Sequence, residues 1–158
     1  MKINGEKVSG SDIIEVVVFP RQTGNIVFKA RVVLNFDTFE MLCPEPEPPV
    51  NVFPTGEVKK QVLDPTYIEA RDTWAERRTN WLILESIKAT PNLEWETVVA
   101  DDPKTWGNFQ TELTESGFSG VEITRLIGCV ISVCGLDQEK IDKATKDFLA
   151  TAAETRKE

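Results

Sequence analysis

The sequence predicts an α+β fold: an N-terminal antiparallel β-hairpin or small sheet, a proline-rich linker, then a compact C-terminal four-helix segment. Three observations carry that prediction. Residues 13–34 are rich in β-branched and aromatic side chains with period-two alternation. Residues 44–49 contain four prolines. From Asp64 onward the apolar spacing becomes helical, with a start and a stop residue at each segment. The implied boundaries are 1–42 for the hairpin region, 43–64 for the linker and 65–158 for the helical region, integrated in one domain. A chain of 158 residues can bury roughly 70% of its unfolded surface, enough for a sizeable core.

Asn4-Gly5 within KINGEKV predicts a tight turn joining a short extra strand. IIEVVVF, residues 13–19, is apolar nearly throughout, which predicts a strand covered on both faces or packed under helices. In IVFKARVVL, Ile26, Phe28, Ala30, Val32 and Leu34 point one way and Val27, Lys29, Arg31 and Val33 the other. PRQTGN between the two supplies the turn. Phe36, Phe39 and Leu42 suit one helical turn over the sheet. Pro44, Pro46, Pro48 and Pro49 lack amide donors and bias their predecessors away from helix, so the segment must be extended, as a spacer or a ligand for a proline-binding groove. The polar PTGEVKKQ prolongs this connection.

Asp64-Pro65 opens a helix expected to reach about Ala89, before Pro91. Its WLILESI end is apolar nearly all round and should be buried on several sides. NLEWETV is a short extended connection packing Trp95. Asp102-Pro103 predicts the next helix, with Trp106, Phe109 and Leu113 on one stripe and Gly117 as a left-handed stop. Ser119 with Glu122 predicts a capping box for a helix whose stripe is Ile123, Leu126, Ile127, Val130 and Cys134. Asp137 is expected to cap a last helix with the stripe Ile141, Ala144, Phe148, Leu149 and Ala152. The short loops predict that consecutive helices pack on one another.

Charge and composition exclude several functions. With 18 basic and 26 acidic residues the net charge is −8, the wrong sign for a surface that must neutralise phosphates, so no nucleic-acid partner is expected. A helix-turn-helix reading of the helix at 119–134 fails likewise, because its outer face carries Glu122, Thr124, Gly128 and Ser132 with only Arg125 basic. No apolar run reaches the ~20 residues of a membrane span. MKINGEKVSG has no apolar signal core, which predicts a cytosolic protein. Cys43, Cys129 and Cys134 read as reduced, buried thiols, the last two lying about 140° apart around one helix.

The chain contains no histidine, which removes the commonest general base, the commonest transition-metal ligand and every Ser-His or Cys-His nucleophile. Asp101-Asp102, with Glu94 and Glu96 nearby, lacks a calcium-loop pattern, and the helix cap accounts for Asp102. No glycine-rich phosphate loop is present. No catalytic, cofactor or metal site is therefore expected. The best candidate for partner binding is one helical face carrying Trp74, Arg77, Arg78, Trp81 and Glu85, because Trp with Arg is the anchor composition of protein interfaces. The competing reading is that the Arg stems cover partly buried rings. Trp95 and Trp106 are assigned to the core.

The succession VVVFPRQTGNIVFKARVVLNFDTFEMLCPEPEPP, RRTNWLILESI, LEWETV and DDPKTW, over about residues 13–150, resembles the tail assembly chaperones of long-tailed, siphovirus-like bacteriophages. The resemblance implies a non-catalytic protein of the host cytoplasm that keeps the tape-measure protein soluble, recruits tail-tube subunits and is absent from the finished virion. It also implies a short and a frameshifted longer form, this chain corresponding to the short one. Self-association is compatible with it. Two alternatives stand beside it: a structural virion protein of the tail or head–tail joint, and a small protein-binding regulator or inhibitor of a host factor.

Overall fold

The computed structural model describes residues 1–8, 13–135 and 138–155; the side chains of Gln138, Lys140, Phe148, Ala150 and 151–155 lie outside the described residues. In chain order the elements are β1 (Lys2–Ile3), β2 (Glu6–Lys7), β3 (Ile14–Phe19), β4 (Ile26–Arg31), α1 (Asp37–Leu42), β5 (Val50–Val52), β6 (Val58–Lys60), α2 (Pro65–Ile87), α3 (Asn108–Glu115), α4 (Gly120–Val133) and α5 (Gln138–Thr155). The class is mixed α+β with small sheets: β1–β2, β3–β4 and β5–β6 each form a two-stranded antiparallel sheet. The expected caps and stripe positions Asp137, Phe148 and Ala152 lie outside the described residues.

Contacts divide the chain into two compact units: Met1–Val33 with Ser86–Asn92 and Gly120–Glu158, and Leu34–Glu85 with Leu93–Ser119. This differs from the sequence division at 42 and 64. The units interleave because α2 crosses from the second into the first, and the consecutive helices α3 and α4 belong to different units.

In the first unit, Asn4 at φ 53° and Gly5 at φ 86° make the left-handed turn joining β1 to β2. The β3–β4 register pairs Ile14 with Arg31, Val16 with Lys29 and Val18 with Val27. Val17, Phe19, Phe28 and Ala30 are buried, while Ile14, Val16, Val18 and Val27 on the opposite face are exposed. Of the two readings of this strand, covered on both faces or packed under helices, the second holds, with one face covered; Leu34, expected on the inward side of its strand, is 82% exposed. On the covered side α4 buries Ile123, Leu126, Val130 and Val133. It runs antiparallel to β3, as three contacts show: Glu122 accepts both Arg21 nitrogens at 2.7 and 3.2 Å, Arg125 lies 5.7 Å from the Phe19 ring, and Ser132 donates to Glu15 at 3.4 Å. Of the stripe expected to bury α5, Ile141, Ala144 and Leu149 are exposed.

The second unit is built on aromatic rings. Phe39, wholly buried on α1, is surrounded by Phe36, Trp74, Trp81 and Trp106 at centroid distances of 5.8–6.4 Å. The Trp106 indole donates to the Ala100 carbonyl and the Trp74 indole to the Cys43 carbonyl, so neither buried N–H is stranded. Asp64 caps α2 as expected, accepting from the Tyr67 amide at 2.9 Å. α3 starts at Asn108, not at Asp102-Pro103, because residues 102–108 close three-residue turns: Thr105 N–H to Asp102 C=O and Asn108 N–H to Thr105 C=O. Gly117, at φ 88°, ends that helix, and Phe118 N–H returns to Leu113 C=O.

Residues 44–49 have no regular secondary structure. The stretch 43–64, expected to lack elements, contains the β5–β6 hairpin. Pro54-Thr55-Gly56 turns it, with Gly56 at φ 82° and Phe53 N–H bonded to Glu57 C=O at 2.9 Å. Every residue from Val50 to Lys60 is exposed, including Val52 and Val58.

Candidate partner-binding grooves around Trp74

The face proposed from sequence is partly assembled by the fold. Spacing of two helical turns puts Trp74 and Trp81 side by side, and both rings meet Phe39. Their burial differs. Trp81 is 6% exposed, enclosed by Phe36 at 5.3 Å and Phe39, so it belongs to the core and not to the surface expected to grip a partner. Trp74 is half-buried, as are Arg77 and Glu85, whereas Arg78 is exposed. The Arg78 guanidinium lies 4.1 Å over the Phe36 ring and 6.0 Å from Trp74, so its stem and charge cover aromatic surface as the competing reading anticipated.

Trp74 stands between two open grooves. One, of ≈ 410 Å³, runs between Pro44 and Pro46 and α2, where Glu69, Ala70 and Arg77 line it. The other, of ≈ 480 Å³, is lined by Glu40, Pro44, Glu45 and Arg78. The prolines read from sequence as a spacer therefore form a wall of the candidate site. The signal that could have revealed this is the pairing of an extended proline segment with an exposed-edge Trp, a combination known to favour apolar polypeptide contacts. Charges of both signs, Glu40, Glu45, Glu69, Arg77 and Arg78, line the two grooves beside the Trp74 ring.

Elsewhere in this unit Glu112 of α3 ties down the loop before it, accepting from the amides of Glu96 at 3.0 Å and Thr97 at 2.6 Å and from the Thr97 hydroxyl. Burial pushes its carboxyl up, but the bonds from the Thr97 hydroxyl and from the Glu96, Thr97 and Val98 backbone outweigh that and hold it below the ordinary 4.5. A lowered folded-state pKa stabilises above the unfolded value and ceases to do so as pH falls through the folded one. Thermal melts should therefore lose a Glu112-dependent increment on acidification below the ordinary carboxylate range. Glu112→Gln should be less stable than wild type at neutral pH and converge with it in acid; parallel melting curves at all pH values would contradict this.

Among the described residues, no group of three or more His, Cys, Asp or Glu could hold a metal ion, and no helix is long and apolar enough to cross a membrane. The chain matches no protein-family model, no curated protein and no solved structure.

Proposed function

We propose that this chain is a non-catalytic polypeptide-binding protein, and more specifically a tail assembly chaperone of a long-tailed bacteriophage, acting in the host cytoplasm on the tape-measure protein and tail-tube subunits. The observation that carries the reading is the half-buried Trp74 ring flanked by two open grooves, with Arg77 and Arg78 beside it. An anchor of this kind binds by area while charges at the rim set orientation and permit release. The sequence resemblance supplies the identity of the partners. In this reading the segment 43–64 connects a β region to helices and lends its prolines to the groove.

A second reading is favoured by a different observation. The exposed β5–β6 hairpin, with Val50, Val52 and Val58 in water, suits a subunit retained in the tail or head–tail joint. Mass spectrometry of purified particles separates the two, since a chaperone is absent from them.

The direct test is co-expression with the tape-measure protein encoded in the same genome. Wild type should raise its soluble fraction and co-purify with it. Arg77→Glu, which changes the groove without touching the Phe39 ring cluster, should weaken capture by roughly tenfold while leaving the circular dichroism spectrum intact. Undiminished capture by a folded Arg77→Glu chain would remove the groove as the binding site.

A further inference from the structure

The β3–β4 hairpin has one face against α4 and a second face of different composition. The register fixes that second face: Ile14 stands beside Arg31, Val16 beside Lys29 and Val18 beside Val27. Its four apolar side chains, Ile14, Val16, Val18 and Val27, are 37–54% exposed. The two remaining positions are both cations, and no carboxylate occupies any of the six. In a chain of net charge −8, a face with two cations and no acid is against the general trend. Neither Lys29 nor Arg31 has an ion-pair partner among the described residues.

The backbone that presents these cations is held in place. The Lys29 amide donates to the Thr90 hydroxyl at 2.9 Å, that hydroxyl donates to the Lys29 carbonyl at 3.2 Å, and Ser86, fully buried, donates to the Arg31 carbonyl at 2.7 Å. Alternate positions on a strand lie about 6.8 Å apart, so Lys29 and Arg31 form a spaced pair of charges along β4, with the apolar strip of β3 beside them.

The covered face shows what such a hairpin accepts. With 14 residues α4 is about 21 Å long, which matches the roughly 20 Å of a six-residue strand. It buries the stripe Ile123, Leu126, Val130 and Val133, and beside that stripe its Glu122 carboxylate accepts both Arg21 nitrogens.

We propose that the exposed face of β3–β4 is a docking surface for an acidic amphipathic helix of a partner polypeptide. That helix sets an apolar stripe on Ile14, Val16, Val18 and Val27. Two of its carboxylates, one turn or about 6 Å apart along the axis, meet Lys29 and Arg31. Charge complementarity selects this occupant. A neutral or basic helix would cover both cations and leave them unpaired, at a cost in desolvation that the acidic helix offsets. The α5 helix of a second copy fits less well, because Lys140, Lys143 and Lys146 interleave with its acids. An anionic lipid surface or a nucleic acid fits less well again: two cations neutralise few phosphates, and the net charge of −8 repels a polyanion. The inference is independent of the Trp74 grooves, since every residue it uses belongs to the first unit.

The test uses the full chain and a stapled synthetic helix of about 14 residues, with leucines along one stripe and two glutamates one turn apart beside it. A second peptide carries lysines in place of those glutamates. By fluorescence anisotropy the wild type should bind the glutamate peptide saturably and about tenfold or more tighter than the lysine peptide, a preference that shrinks as salt is added. The double variant Lys29→Glu, Arg31→Glu should reverse the preference, whereas Arg77→Glu should bind as wild type does. A measurement on the wild type needs no variant to fold: a spin label on the glutamate peptide should broaden the methyl resonances of Ile14, Val16, Val18 and Val27. Equal affinity for the two peptides overturns the proposal, as does the absence of saturable binding. Broadening at the Trp74 indole in place of those methyls would overturn it by placing the peptide in the grooves. Retention on phosphatidylserine vesicles without peptide binding would overturn it in favour of a lipid surface.

Discussion

Replacing Phe39 with alanine is expected to destabilise the second unit by about 3–5 kcal/mol, toward the upper end of that range. The ring has no exposed surface and meets four others, Phe36, Trp74, Trp81 and Trp106. Each such aromatic pair adds about 0.5–1.5 kcal/mol beyond burial of area. The neighbours are large and come from three separate segments, so they cannot collapse easily into the void. Urea denaturation followed by tryptophan emission checks this, and a loss below about 1 kcal/mol would show that the cluster is not a rigid core. Phe39→Ala should also weaken partner capture although Phe39 lines neither groove, because Trp74 rests on its ring. That separates it from Arg77→Glu, which should affect capture without affecting stability.

Val130→Asp should have an effect of similar size in the first unit. Val130 is fully buried on the α4 stripe with Leu126 and Val133, and an unpaired carboxylate there must either stay charged in an apolar site or take up a proton against its ordinary pKa. Either outcome costs several kcal/mol. Amide exchange should lose protection across β3, β4 and α4. All four tryptophans lie within the segments of the second unit, so their emission reports that unit by itself. It should remain native-like in Val130→Asp, because the rings are buried by residues of their own unit. Retained protection in α4 would contradict the packing of Val130.

Much of the fold was legible in the sequence where local chemistry decides it. Asn4-Gly5, the β3–β4 alternation, Asp64-Pro65 and Gly117 all act over a few residues, and all appear as read. What was illegible depends on distant partners. Trp81 looks the same as Trp74 along α2; what distinguishes it is Phe36, forty-five residues upstream by numbering, which meets Trp81 in addition to the Phe39 ring that both share. IIEVVVF has apolar residues on both faces, which says that both faces are sticky but not that this chain covers both. The β5–β6 hairpin did carry a signal, Val50 and Val52 before a Pro-Thr-Gly turn and Val58 after it, but the preceding prolines masked it. Of the candidate face, the Trp74–Arg78 spacing could be read along one helix, while the groove could not, since its second wall comes from residues 43–46.

The interleaving of the two units has a consequence for synthesis on the ribosome. Strands β3 and β4 emerge early, yet α4, which covers their inner face, follows roughly 90 residues later, and at ~5–20 residues per second the delay is on the order of 5–20 seconds. A two-stranded hairpin is marginal alone, so Val17, Phe19 and Phe28 spend that interval wet on the nascent chain. The second unit, by contrast, has all its residues by Ser119 and can close first. The N-terminal part of this protein is therefore translated first and finished last, and a premature stop before α4 would release a chain with both faces of its hairpin uncovered.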